Sequence, residues 1–303
     1  MIEAVLLGTG GMIPLPGRWL SCLLVRVKGQ QTLFDCGEGT QVAWRGSGWG
    51  FRRLGAICIS HTHADHIAGL PGLLHAVANA GRTEPLAIFG PGGTGEVVRA
   101  LRLIAPVLPF QVRVTELRGG ERFPLPGGLI GSCAQGDHAL PVLAYRVDLV
   151  RGRAFMPERA RSLGVPLRLW SQLQAGASVS WDGGHATADA VLGPPRPGLS
   201  VAYVTDTRPV PPLPQFLKGV NLLVCEGTYG NDEDGTKAVR NRHMTFREAA
   251  TLARDANARE LWITHFSPAL EDPTAFAANA TSVFPQAEIG RDGLTTELPF
   301  RER

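Results

Sequence analysis

His61-Thr62-His63-Ala64-Asp65-His66 sets four potential metal ligands within six residues, directly after the apolar run Leu54-Gly55-Ala56-Ile57-Cys58-Ile59-Ser60. Apolar and β-branched residues followed at once by polar ligands read as a buried strand that delivers a loop at its end. His61 and His63, two positions apart, can turn their imidazoles to one ion. Asp65 and His66 can face a second ion beside it. A polar loop with incidental histidines would stand alone, and this one does not: three further ligand-type residues follow equally apolar stretches downstream.

His138 lies in Gly136-Asp137-His138-Ala139-Leu140-Pro141 after an expected strand. Asp206 follows Val201-Ala202-Tyr203-Val204-Thr205, and His265 follows Leu261-Trp262-Ile263-Thr264. The carboxyl ends of strands are where α/β folds gather their chemistry. Imidazole and carboxylate donors without thiolate suit Zn²⁺, Mn²⁺ or Fe and disfavour Mg²⁺, which prefers oxygen and retained water. Two ions roughly 3.5–4 Å apart call for a bridging carboxylate and activate the water between them at neutral pH. Asp206, isolated and late in the chain, is the natural bridge. Asp65 is placed both to ligate and to orient the water. The constellation reads as a two-metal hydrolase.

The chain of 303 residues suffices for one large domain or two small ones, and its 44% hydrophobic content supports a substantial core. Its 37 glycines and 23 prolines favour tight turns over long helices. No stretch reaches the roughly 18 continuous apolar residues of a membrane helix. Met1-Ile2-Glu3-Ala4-Val5-Leu6-Leu7-Gly8 enters a strand without a basic leader, so a cytoplasmic protein with no membrane partner is expected. Cys22, Cys36, Cys58, Cys133 and Cys225 are widely spaced and form no CxxC pair. They read as small buried residues of a reducing compartment. The net charge of +3 names no partner. The basic residues are nearly all arginine, with lysine only at Lys28, Lys218 and Lys237. Arginine binds phosphate bidentately, but genome composition or thermal adaptation gives the same bias.

Strands over 3–7, 21–27, 31–35 and 56–60 make the first sixty residues read as β-structure. A helix is expected within 67–80, a strand over 85–89, a helix over 96–104, and strands over 111–117, 128–134 and 142–148. Between 151 and 198 the alternation fades. Only a short helix near 157–163 is legible there, and the stretch reads as an excursion with little core of its own. Strands over 200–205 and 221–225, a helix over 245–256, a strand over 260–264 and an amphipathic C-terminal stretch follow. Such alternation at both ends implies sheets with helices packed outside.

With these residues in place, the chain resembles the metallo-β-lactamase superfamily and, within it, the short form of the ribonuclease Z family. The second likeness rests on Leu6-Leu7-Gly8-Thr9-Gly10-Gly11, on Leu33-Phe34-Asp35-Cys36-Gly37-Glu38-Gly39-Thr40-Gln41, and on Ile67-Ala68-Gly69-Leu70-Pro71-Gly72 directly after the histidine cluster. It extends over the whole chain. The resemblance implies an α/β fold, an αββα sandwich of two mixed sheets, as one domain over 1–303 with 151–198 as a protruding arm that clasps tRNA. It implies two Zn²⁺ per chain, with Mn²⁺ or Fe as alternatives. One ion would be held by His61, His63 and His138, the other by Asp65, His66 and His265, with Asp206 shared.

Glu226 in Leu222-Leu223-Val224-Cys225-Glu226-Gly227-Thr228-Tyr229 and His243 in His243-Met244-Thr245 resemble two further family signatures. A carboxylate beside an imidazole stabilises the imidazolium for donation to a leaving oxygen. Asp65, Glu226 and His243 are thus the expected catalytic residues. The implied activity is endonucleolytic removal of the 3′ trailer from precursor tRNA by a homodimer, with Arg151, Arg153, Arg159, Arg161 and Arg168 of the arm meeting phosphates. The chain departs from the family at Leu167-Arg168-Leu169-Trp170, where a Gly-Pro pair is usual, and at His265-Phe266-Ser267-Pro268-Ala269-Leu270, where typical members carry Ser-Arg-Tyr. Pro14-Leu15-Pro16-Gly17-Arg18 also differs from the commoner form, and Cys225 and Gly227 replace a histidine and an alanine. These departures touch substrate-facing elements. They leave open a phosphodiesterase acting on small or cyclic nucleotides and a non-enzymatic RNA-binding protein on a hydrolase scaffold.

Overall fold

The computed structural model describes residues 1–300. Its strands run, in chain order, β1 Ile2–Gly8, β2 Cys22–Val27, β3 Gln30–Phe34, β4 Leu54–Cys58, β5 Leu86–Gly90, β6 Val112–Glu116, β7 Arg122–Leu125 and β8 Leu129–Gln135. They continue with β9 Leu143–Leu149, β10 Val179–Trp181, β11 Gly184–Ala186, β12 Leu199–Val204, β13 Leu222–Glu226, β14 Glu260–Thr264, β15 Ala287–Ile289 and β16 Leu294–Leu298.

Two seven-stranded sheets result, ordered β16-β1-β2-β3-β4-β5-β6 and β15-β14-β13-β12-β9-β8-β7. Both are mixed. β3 to β6 pair in parallel in the first, and β12 to β15 in the second, while the remaining neighbours are antiparallel. Central strands such as β12 and β13 are buried along their whole length. A strand covered on both faces loses the polar alternation of a half-exposed one, hence Leu-Leu-Val-Cys in β13. One apolar cluster joins the sheets through Leu23, Val25, Phe34, Tyr145, Val201 and Trp262. A second lies under the helix Phe246–Asp255, and a third under the helix Leu70–Asn79. The layering is helix, sheet, sheet, helix, as the sequence implied.

Residues 150–198 form a compact unit of their own. This unit holds the helix Pro157–Ser162, the β10–β11 hairpin, and a core of Ala160, Val165, Leu173, Val179, Ala186 and Val191. The expectation of little independent core is corrected. Apolar residues spaced over short turns cluster here, although no single element of the segment shows a periodic face.

Other elements escaped the sequence reading. Thr40–Gly46 is a helix inside a region read as all β, with Trp44 fully buried. β16 lies antiparallel to β1, pairing Leu294 with Leu6. In the parallel strands the registers align the carboxyl ends: Phe34 lies opposite Cys58, Cys58 opposite Phe89, Val204 opposite Cys225 and Cys225 opposite Ile263. The loops that follow therefore leave both sheets at one level.

Candidate active site

Each ligand-type residue singled out in the sequence sits just past one of those strand ends. The loop after β4 carries His61 and His63, and the one-turn helix Ala64–Ile67 carries Asp65 and His66. His138 follows β8, Asp206 follows β12, and His265 follows β14. Asp206 and His265 both have positive φ, 49° and 62°. That region is sparsely populated outside glycine, and here it turns both side chains back over the strand ends. The His61–His66 loop is pinned by Cys36 N–H donating to the His66 carbonyl (2.8 Å) and Gly69 N–H donating to that of Cys36 (2.9 Å). The approach admits only glycine: a Cβ on Gly69 would fall 1.9 Å from the Gly37 carbonyl oxygen.

Seven side chains converge as two sets around one carboxylate. In the first set, His61 Nε2 lies 2.9 Å from His63 Nδ1, which lies 3.3 Å from His138 Nε2. Asp206 Oδ2 stands 3.7 Å from both His61 Nε2 and His138 Nε2. In the second set, Asp65 Oδ2 lies 3.3 Å from His66 Nε2 and 3.6 Å from His265 Nε2. Asp206 Oδ1 is 3.3 and 3.1 Å from the same two nitrogens. Asp206 thus offers one oxygen to each set.

Behind these atoms a second layer of hydrogen bonds sets each ring. Asp35 Oδ2 lies 2.7 Å from His66 Nδ1 and accepts from Ser60 Oγ at 2.8 Å. Thr228 Oγ1 lies 3.1 Å from His265 Nδ1, and the Arg242 carbonyl 3.3 Å from His138 Nδ1. Met12 N–H donates to Asp65 Oδ2 at 2.7 Å. A polar atom on one ring nitrogen leaves the other nitrogen free to ligate. The sequence reading gave no role to Asp35, Ser60, Thr228 or Met12. Asp35 alone carried a usable signal, since it too follows an apolar strand, β3.

Glu226, the last residue of β13, is fully buried and accepts from Thr207 N–H (2.6 Å), Met244 N–H (3.0 Å) and Thr228 Oγ1 (2.8 Å). Both of its oxygens lie 3.2 Å from His243 Nδ1. His243 sits just ahead of the helix Phe246–Asp255, whose start is fixed by a capping box between Thr245 and Glu248. Burial works against charge on His243, but Glu226 and then Asp206 outweigh it and push its pKa up to about 9. Burial also opposes ionisation of Asp65, yet His265 and His66 hold its carboxyl well below the usual carboxylate range. The nine functional positions read from the sequence, counting Asp65 once, therefore all lie within one constellation.

The residues present fit a bound cation. Nε2 of His66 and of His265 are buried and make no hydrogen bond, a costly state for two imidazole nitrogens unless something else occupies their lone pairs. Nitrogens 2.9 and 3.3 Å apart likewise point at a common centre rather than at solvent. The open side faces a cleft of about 830 Å³ that His63, His138, His243, Arg240 and Arg242 help to line.

Residues 31–266 match the β-lactamase superfamily domain. The chain is 43% identical to ribonuclease Z of Lachnoclostridium phytofermentans over 300 residues, covering 99% of each chain. It is 44% identical to ribonuclease Z of Clostridium kluyveri, covering 100% of each. Among solved structures, the metallo-β-lactamase fold protein YhfI from Bacillus subtilis superposes with a TM-score of 0.71 at 20% identity, covering 98% of this chain and 100% of that one. The short form of human tRNase Z superposes at 0.69 and 22% identity, covering 98% and 99%. The fold and the histidine–aspartate centre make this a metal-dependent hydrolase of the metallo-β-lactamase class. Within that class, the chain belongs to the ribonuclease Z family.

Proposed function

We propose that the protein is a metal-dependent endoribonuclease that cuts precursor tRNA after the discriminator nucleotide and releases the 3′ trailer. The observation that carries this reading is one carboxylate, Asp206, facing two convergent ligand sets, with the Glu226–His243 pair beside it. His61, His63 and His138 would hold one divalent ion and Asp65, His66 and His265 the other, with Asp206 between them. Bound there, the ions supply Lewis-acid neutralisation of phosphate charge and a nucleophilic water at neutral pH. The all-imidazole-and-carboxylate donor set favours Zn²⁺, two per chain, over Mg²⁺.

The chain's own residues do the rest. Asp65, steadied by Met12 N–H, orients the attacking water. His243, kept protonated by Glu226, faces the leaving side. The water oxygen bonds to phosphorus, the P–O3′ bond breaks, the His243 proton passes to the departing oxygen, and the water's surplus proton leaves to solvent, from which His243 is reprotonated. The tRNA ends in a 3′-hydroxyl and the trailer begins with a 5′-phosphate. The arm, a unit with its own small core, contacts the tRNA body in a homodimer. Five buried free thiols, their pKa values all pushed up by burial, support a reducing, cytoplasmic setting. No helix among the described residues is long and apolar enough to cross a membrane.

A precursor tRNA with a mapped 3′ trailer tests the reading. Cleavage at the discriminator with a 3′-hydroxyl product is expected. Absence of cleavage at metal saturation, with rapid hydrolysis of a small or cyclic phosphodiester, would replace it by the small-substrate activity.

A further inference from the structure

A second cavity, about 430 Å³, opens beside the catalytic cleft, and Thr228 and Tyr229 line both. The two differ in charge. Arg240 and Arg242 line the catalytic cleft, whose two carboxylates, Asp65 and Asp206, face the histidine sets, whereas Asp234, Glu271 and Asp272 line the second cavity, with Lys237 already paired to Asp234 at 2.6 Å. A phosphate is drawn to the first and repelled by the second. The walls of the second cavity include the half-buried rings of Tyr229 and Phe276 and the half-buried Leu270. Aromatic and aliphatic walls of this size suit a flat, uncharged ring system.

Position relative to the proton donor decides which ring. The Tyr229 ring centroid is 6.5 Å from that of His243. The Tyr229 hydroxyl accepts from Asn241 Nδ2 at 2.6 Å, which ties it to the turn that carries Arg242 and His243. His243 serves the departing 3′ oxygen, so the nucleotide that owns this oxygen is the one beside Tyr229. We infer that the Tyr229–Phe276–Leu270 cavity is a nucleobase subsite. It takes the base of the nucleotide immediately 5′ of the cut, while Arg240 and Arg242 take the backbone phosphate on the other side of Tyr229. This inference rests on the endonuclease reading above.

The site orients the scissile bond through the base next to it, so occupancy acts on kcat/KM for RNA and not on a diester that lacks a base. Two changes test it together: Ala275→Trp, an exposed position on the cavity wall, and a precursor tRNA abasic at the nucleotide 5′ of the cut. For wild-type protein, removing the base is expected to lower kcat/KM roughly tenfold or more, the size of a lost base–aromatic stack. Ala275→Trp should lower kcat/KM on intact precursor by a similar factor, and should cost nothing further on the abasic substrate. The metal content of the variant should stay unchanged, and the abasic precursor serves as the control for the chemistry, since a p-nitrophenyl diester would bring a flat ring of its own to the cavity. Equal cleavage of intact and abasic precursor by wild-type protein overturns the subsite whatever the variant does. Failure of wild-type protein to cut intact precursor overturns instead the endonuclease reading on which the subsite rests.

Discussion

At the scale of single residues, Asp206 is the one carboxylate among the described residues that turns an oxygen to each ligand set. Losing a ligand from one set leaves the other set whole, but losing Asp206 depletes both. Asp206→Ala is expected to purify with less than one ion per chain, whereas Asp65→Ala keeps most of its metal and loses turnover. Elemental analysis beside a cleavage assay checks this, and an Asp206→Ala protein with full metal content would refute the bridging role. Asp35 works one step further out. It holds the far nitrogen of His66 and accepts from the Ser60 N–H and hydroxyl, so Asp35→Ala is expected to weaken metal binding about 10- to 100-fold, the usual effect of an outer partner. The acid pair gives a pH test. His243 must be protonated to donate, so activity falls as pH rises through its pKa. Glu226→Gln removes the largest influence raising that pKa, and the alkaline limb of kcat should move to lower pH. On a p-nitrophenyl diester, whose leaving group needs no proton, His243→Ala should cost far less than on RNA. Equal losses on both substrates would make His243 a phosphate-binding or positioning residue.

At the scale of elements, the sequence announced the candidate ligands because His61, Asp206 and His265 follow the apolar, largely buried strands β4, β12 and β14, while His138 follows β8, whose burial alternates. The same burial hid the pairing partners: Leu294-Thr295-Thr296-Glu297-Leu298 shows a strand's alternation, but nothing local says that it lies against β1 at the other end of the chain. The helix Thr40–Gly46 was missed for a different reason. Its length of seven residues leaves one buried face, set by Trp44, and no repeating period. Orienting atoms were equally silent, because Met12 and Arg242 act through backbone groups that any residue type carries. The arm shows the limit of composition. Its arginines were expected to await phosphates, yet Arg153 pairs with Asp189 and donates to the Leu192 and Gly193 carbonyls, and Arg161 pairs with Glu158. Arg153 therefore holds the arm's own chain together. Deleting 154–192 should raise KM for precursor tRNA at least tenfold and leave KM for a small diester unchanged, since remote phosphate contacts bind without touching the reacting bond. Unchanged tRNA affinity in the deletion variant would remove the arm from substrate binding.

At the scale of the whole molecule, the two sheets meet at the site as well as in the core. His61, His63, Asp65 and His66 leave the first sheet, while His138, Asp206 and His265 leave the second. Tyr145 in the second sheet donates to the Ile59 carbonyl at 2.8 Å, and Leu143 N–H donates to that of Ser60 at 2.9 Å, so protein contacts alone already hold the histidine loop. Metal held by residues of both sheets would cross-link them at this site, and its binding energy would become stability of the folded chain. A ligand at about 100 times its dissociation constant stabilises by about 2.7 kcal/mol per site. In a domain of this size, 1 kcal/mol corresponds to about 2–4 °C in Tm. Stripping the metal with a chelator should therefore lower Tm by about 5–10 °C for each site emptied. The Asp206→Ala variant should start near the stripped value and respond little to the chelator. A wild-type Tm indifferent to chelation, in protein whose metal loss is verified, would mean that the sandwich closes without the ions and that they serve chemistry alone.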